Sequence, residues 1–358
     1  MKEPTKLPKA LLEHIPWEAE ANPIWPATSF ILRRNLSKYI FPAKMTEGQY
    51  HQTLDLIKNC LLSSKELEQP VLLKAEETSA LDKEFLFEHF LCMEGFQNTL
   101  AGQAFVVDNT SRFLGMVNIE DHLQMQLIDC SGNWESAWNK INQIETSMSR
   151  SIEFAFSPRF GYLSSDQFLC GTGLTVLIYL HLPALIHTGQ LQETLVKQKD
   201  EAVIATGMQG TLDEIVGDII VLRNHFTLGL SEENILQSLH SMTMKLMALE
   251  KTLRSHLQQG KNVELKDHVS RAYGLLLHSY QLQTKEALDA LSMIKLGLDL
   301  GWIEGITDQK LNEIFFHCRR AHLLHSLPEI LVDPAEISRK RTEYLYKQMQ
   351  GIQLKTES

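Results

Sequence analysis

Glu120, Asp121 and His122 are consecutive in this chain, and two carboxylates beside an imidazole are residue types that accept and pass on protons. They sit in Val117-Asn118-Ile119-Glu120-Asp121-His122-Leu123-Gln124, which reads as the end of a buried strand running into a polar loop. Residues 113–117 before it are apolar and β-prone, and Leu123, Met125 and Leu127 alternate with Gln124 and Gln126 after it. The chemistry open to such a stretch is general-base work. The same groups also cap helices or satisfy one another at strand ends, and from the residues alone that plainer use is the commoner one.

The elements that must position this stretch are legible in the apolar spacing. Pro4, Pro8, Pro16, Pro23 and Pro26 make residues 1–26 an irregular lead-in with one short helix at 9–14. Tyr50, Leu54, Ile57 and Leu61 predict a helix over 46–63 with Thr46 as its N-cap, and 81–90 reads as another. Strands are expected at 104–107, 113–118 and 123–128, then a helix over 133–154 on the stripe Trp138, Ile141, Ile144, Met148 and Ile152. Residues 202–208 and 218–224 read as neighbouring strands. A long core helix follows at 231–259, capped by Ser231 and closed by Gly260. Beyond a boundary at 260–262 the pattern is helical: 268–282, 284–301 with Thr284 as N-cap, 307–321 with Thr307 as N-cap, and 336–349.

Composition narrows the function classes. The 358 residues suffice for two domains and a large core, and 44% hydrophobic with 22% charged residues is an ordinary globular balance. A net charge of -10 without a long basic run argues against nucleic acid or an anionic membrane as partner. Five scattered cysteines, none in a Cys-x-x-Cys pair, suggest neither a disulfide framework nor a zinc site, and fit a reducing cytoplasm. The start of the chain lacks the apolar core of a secretion signal. The most apolar run, 173–186, is too short to span a bilayer, carries His181 and Pro183, and reads as buried core.

Several separated stretches resemble one family in the same order: the ATP:guanidino phosphotransferases, and within it the bacterial protein-arginine kinases. The loop above is similar to the family's Asn-Glu-Glu-Asp-His. Ala27-Thr28-Ser29-Phe30-Ile31-Leu32-Arg33-Arg34-Asn35, followed by Phe41-Pro42, resembles its Ser-Ser-Arg-Ile-Arg-Leu-Ala-Arg-Asn and Phe-Pro. Gly171-Thr172-Gly173-Leu174, His181-Leu182-Pro183, Asn224 and Thr227-Leu228-Gly229 recur at the family's spacing. Arg271-Ala272-Tyr273-Gly274, Lys285-Glu286-Ala287 and Leu296-Gly297-Leu298-Asp299 resemble the arginine-kinase branch. The resemblance implies an α+β fold: an antiparallel sheet flanked by helices over 1–259, helical to about 100 and sheet-forming after it. A helical C-terminal domain over 260–358 follows, with homodimerisation through it.

In the resembled family a guanidino nitrogen attacks the γ-phosphate of Mg-ATP, the base position falls on Glu120, and arginines hold the triphosphate. Those arginines fall here on Ser29, Ile31, Gln124, Thr175 and Thr206. The glutamate of the Arg-Gly-x-x-Gly-Glu segment falls on Thr211, the reactive cysteine on Asp166, and the first acidic-loop glutamate on Ile119. One well-placed arginine at a phosphoryl transition state contributes about 10³–10⁵ in rate, so these losses together predict an inactive site. Arg33, two residues beyond Ile31 and on the same face if 27–34 is a strand, is the one candidate replacement. His89 matches a family histidine near the nucleotide base, in a position that also suits a structural role.

The family's phosphoarginine-reading Arg-Asp-x-x-Arg-Ala corresponds to 337–342, where Arg341 remains, Ser338 replaces the acid, and Arg339 and Lys340 complete a cationic cluster. The resemblance therefore implies a degenerate kinase acting as regulator or scaffold, with no cofactor required. Its implied partners are a zinc-binding kinase activator, an active kinase or a Clp protease ATPase. The competing expectation is a diverged, active kinase using Mg-ATP and Glu120. The two differ in whether basic side chains converge beside Glu120.

Overall fold

The computed structural model describes residues 5–17, 22–93, 95–96, 99–260, 262–329 and 331–355. In chain order the elements are α1 (Lys9–Glu13), β1 (Ala27–Arg34), α2 (Glu47–Leu62), β2 (Val71–Lys74), α3 (Ala80–His89), β3 (Ala104–Val107), β4 (Phe113–Val117), β5 (Leu123–Asp129) and α4 (Trp134–Ser149). A small hairpin of β6 (Phe156–Ser157) and β7 (Gly161–Tyr162) precedes β8 (Leu174–His181), α5 (Pro183–His187), α6 (Leu191–Lys197), β9 (Val203–Gly207) and β10 (Ile219–Asn224). The rest is helical apart from a two-residue strand pair: α7 (Glu232–Gln259), α8 (Val263–His278), α9 (Thr284–Asp299), α10 (Asp308–His317), α11 (Arg320–Ser326) and α12 (Pro334–Gln348).

Eight strands form one sheet in the order β2-β3-β4-β5-β1-β8-β10-β9, with every neighbouring pair antiparallel. β1 runs through its middle, paired to β5 and β8, and all eight of its residues are buried. Helices cover both faces, which explains the absence of polar alternation in β1 and β8. Phe30 and Leu32 point to one face with Leu54 and Ile57 of α2, Ile141 and Ile144 of α4, and Leu239 and Leu246 of α7. Ile31 points to the other with Phe85 of α3, Leu276 of α8, Leu288 of α9 and Phe316 of α10. The part expected to be helical to about residue 100 thus supplies the central strand and one edge strand of the sheet.

Several boundaries differ from the sequence expectation for identifiable reasons. α4 stops at Ser149 because the chain then turns to bring Phe154 against Leu36. Gly260 ends α7 in an extended conformation at φ -96°, so its closure uses no left-handed glycine. α8 starts at Val263, five residues early, and its stripe of Leu265, Val269, Ala272 and Leu276 is buried. Gln283, whose N–H donates to Glu286 Oε2 at 2.8 Å, caps α9 in place of Thr284. The helix expected at 307–321 breaks at Cys318, whose carbonyl accepts a bond from Arg341 Nε at 2.7 Å, and α11 restarts after Arg319.

The C-terminal helices are tied to the sheet through buried polar groups. Fully buried Glu250 of α7 accepts from the N–H groups of Ala184 (3.0 Å) and Leu185 (2.9 Å) and from Arg254 Nε (2.8 Å). Arg254 also pairs with Asp299 of α9 and donates to the His181 carbonyl at 3.0 Å. On the other side, Glu88 of α3 accepts from Ala321 N and His322 Nδ1 at 3.0 Å each, so α11 docks on α3.

Candidate functional site

Strand register alone gathers the substituted positions onto one surface. Ile31 lies opposite Gln126 on β5 and Thr175 on β8, and Arg33 lies opposite Gln124. Ser29 lies opposite Leu177, which pairs in turn with Arg223 of β10, while Thr206 of β9 faces Val221. Cross-strand partners share a face, so Ser29, Ile31, Arg33, Gln124, Thr175 and Thr206 all lie on the side that carries α3 and α9. The exposed Thr211 belongs to the β9–β10 connection, where its carbonyl accepts from Gly207 N at 2.6 Å.

Hydrogen bonds within the sheet hold Ser29, Arg33 and Thr175, while Thr206 Oγ1 is buried without a partner among the described residues. Gln126 Nε2 donates to Ser29 Oγ at 2.9 Å and to the Phe90 carbonyl at 2.7 Å. Arg33, buried, donates from Nη1 to Thr175 Oγ1 at 3.0 Å. Its neighbour Arg34 is wholly structural: it pairs with buried Glu145 at 2.9 Å, donates to the Thr172 carbonyl at 2.9 Å and lies 3.5 Å over the Tyr162 ring.

Within the acidic loop, Asn118 takes a left-handed conformation at φ 58°. It is held there by Nδ2 bonds to the carbonyls of Gly102 (2.9 Å) and Tyr50 (3.0 Å). Asp121 is buried and accepts from Asn35 Nδ2 at 2.6 Å and Ser165 N at 2.7 Å. His122 Nδ1 accepts from Leu36 N at 3.2 Å, and burial pushes the imidazole down from 6.5 to about 4. Asp121 and His122 Nδ1 thus hold the loop to Asn35, Leu36 and Ser165. Glu120 alone of the three is exposed, with Ser165 Oγ fixed to its carbonyl at 2.7 Å.

Glu120 opens on a cleft of about 60 Å³ whose walls include Ile31, Ile119, Met116 and the two arginines Arg33 and Arg223. That volume holds a handful of waters at about 10–15 Å³ each. Past Cys92 and Met93, which line both spaces, a second cavity of about 480 Å³ is bounded by Tyr179, Met208, Lys285 and Arg319. Arg223 and Arg319 were not foreseen, and Lys285 was noted only within a family-like motif. Arg223 precedes the recognised Asn224 and could have been found by strand alternation; the other two stand far away in sequence.

The remaining expected residues lie elsewhere. His89 is fully buried, with Nε2 2.9 Å from the Ser111 carbonyl and its ring stacked beside Phe85 and His322; burial drives it down to about 3, and it lines neither cavity. Arg341 is buried and donates to the carbonyls of Cys318 (2.7 Å) and Leu282 (2.8 Å), joining α12 to two loop ends. Arg339 and Lys340 stand among Glu343 and Glu329, so the basic cluster is locally neutralised. Asp166 Oδ1 accepts from Phe168 N at 2.9 Å and stabilises its own turn.

Two predictions arise from this packing. Because His89 and His122 titrate below 6.5 in the folded chain, they favour the fold above that pH. As pH falls from about 6.5 toward 4 the unfolded chain takes up protons first, so the thermal midpoint should drop through that window. Replacing His122 by Gln should flatten the drop, as a pH series of thermal melts would show. Gly171, at φ 112°, has no room for a Cβ, which would overlap the Thr227 carbonyl. Gly171→Ala should destabilise by about 2 kcal/mol or more, measured as a lower denaturant midpoint.

Comparison with known proteins agrees with this geometry. Residues 53–253 match the family model for the ATP:guanido phosphotransferase C-terminal catalytic domain, and residues 262–358 match that for the protein-arginine kinase McsB C-terminal domain. The chain is 36% identical over 321 residues to a protein-arginine kinase of Chlamydia pneumoniae, covering 88% of this chain and 89% of that one. It is 33% identical to one from Syntrophomonas wolfei, covering 89% of each. Among solved structures, lombricine kinase superposes with a TM-score of 0.57 at 19% identity, over 70% of this chain and 73% of that one, which speaks to the fold. No helix among the described residues is long and apolar enough to cross a membrane. With an acidic loop at the end of β4, an eight-stranded antiparallel sheet beneath it and both family models matched in order, this chain belongs to the protein-arginine kinase family of the ATP:guanido phosphotransferases.

Proposed function

We propose that this member of the family no longer transfers phosphate and works by binding other proteins. The observation that carries the reading is the closed hydrogen bonding at the former phosphate positions, Ser29 with Gln126 and Thr175 with Arg33. A triphosphate needs several fixed cationic forks there, and Ile31, Gln124 and Thr206 carry no charge. The residues present do not fit that group, and no catalytic step through it follows. Glu120 keeps the base position without the cradle that would bring a γ-phosphate to it. On this reading no cofactor is required, and the chain acts in the cytoplasm as a regulator or scaffold. Partners would come from the family's own circle: a zinc-binding activator, an active kinase or a Clp protease ATPase.

One observation favours the second reading, a diverged but active kinase. Arg33 and Arg223 share the cleft with Glu120, and the adjoining larger cavity carries Lys285 and Arg319. Those cations would have to reach a triphosphate together, from positions other than the five substituted ones. Transfer of labelled γ-phosphate to protein arginine decides between the readings, with loss of label in Glu120→Ala as the mark of the active one.

A further inference from the structure

The loops beside the cleft present large apolar side chains on a backbone that is firmly held. The β6–β7 hairpin leans on Gly171 through a Tyr162 N–H bond of 2.8 Å. Thr227 Oγ1 donates to the carbonyls of Cys170 (2.6 Å) and Phe168 (3.1 Å), and Thr172 N donates to the Thr227 carbonyl at 3.0 Å. Asn224 Nδ2 fixes the Phe226 carbonyl at 3.0 Å. These bonds hold the loops of 156–171 and 224–228 against each other. On them Phe168 is 76% exposed and Phe156 59%, with Phe160, Phe226 and Leu228 each above 40%. Leu169, in the same turn as Phe168, lines the Glu120 cleft, so the patch begins at its mouth.

Rings held on a fixed backbone bind with little ordering cost, and exposed apolar surface that is contiguous marks an interface. We propose that this patch docks an extended segment of a partner protein, carrying apolar side chains interspersed with acidic ones. Size favours a segment over a second copy of the chain. Aromatic side chains bury about 150–250 Å² each, so five large side chains roughly half exposed offer about 500 Å², short of the ~800 Å² per partner of a standard interface. Charge favours acidic residues. The Arg159 guanidinium lies 5.0 Å over the Phe160 ring and His225 stacks on Phe226 at 4.0 Å, while Asp166 is turned back to hold Phe168 N. The Arg159 guanidinium therefore stands against a ring of the patch, where a carboxylate would meet it.

This inference rests on the protein-binding reading above, and its test uses no nucleotide, so it stands or falls separately from phosphate transfer. A phage-displayed library of random dodecapeptides would be selected on the wild-type chain and counter-selected on the double variant Phe168→Ser, Phe226→Ser. Both rings are exposed, and matching circular dichroism and thermal midpoints would certify the variant's fold. The expected result is enrichment of peptides pairing Asp or Glu with Leu, Phe or Trp. A fluorescein-labelled synthetic copy should bind the wild type saturably, the double variant at least tenfold more weakly, and Arg159→Ser several-fold more weakly. Failure to enrich, basic winners, or equal affinity for the double variant would overturn the proposal. So would sedimentation showing a wild-type dimer that the double variant dissociates, which would assign the patch to a second copy.

Discussion

Incubated with Mg-ATP labelled at the γ-position and an arginine-rich protein, the chain should leave no acid-labile phosphoarginine above the Glu120→Ala background. A kinase of the family that retains its five arginines should label the same substrate strongly. The expected gap is at least about 10⁵-fold, since a single arginine at a phosphoryl transition state contributes about 10³–10⁵ in rate. Non-additivity shrinks the combined loss, yet five uncharged replacements leave a wide margin. Arg33 does not close that gap alone, because its Nη1 is already bonded to Thr175 and a buried fork so held reaches few phosphate oxygens. Label that appears in the wild type and vanishes in Glu120→Ala would refute the inactive reading and direct attention to Arg223.

Arg254→Met should be the most damaging single substitution on the seam between sheet and C-terminal helices. It would strand Glu250, fully buried, and remove the partner of Asp299. Breaking a buried pair from one side costs about 3–5 kcal/mol, whereas removing both partners costs much less. The double variant Arg254→Met, Glu250→Leu should therefore recover part of the loss, although the Ala184 and Leu185 N–H groups would then lack their acceptor. Denaturant midpoints for the three proteins test this, and a loss below about 1 kcal/mol in the single variant would show the pair to be dispensable.

The sequence made some of this legible and hid the rest for physical reasons. Amphipathic helices such as α2 and α7 announced themselves because one face meets water and the other the core. β1 stayed conditional because a strand buried on both faces shows no alternation, and its partners lie far along the chain. Resemblance located Glu120 and the substituted positions, and the register then placed the latter on one face. Nothing in the local sequence could reveal that Asp121 and His122 are spent on Asn35, Ser165 and Leu36, since those contacts join distant segments. His89 and Arg341 were expected at binding sites by resemblance, and both lie buried against the carbonyls of Ser111, Cys318 and Leu282, contacts that join distant segments.

The place of β1 also sets a schedule for synthesis. Arg34, its last residue, leaves the ribosome long before β8, which begins at Leu174, and both strands that flank it come later. At about 5–20 residues per second the wait is roughly 7–30 s. Over that wait an eight-residue segment, wholly interior in the finished molecule, can pair on one edge at most, and on neither until β5 at Leu123–Asp129 has emerged. The nascent chain is thus most prone to aggregate before its second half exists, and helper proteins that shield emerging polypeptides should matter more to its yield than the stability of the finished fold.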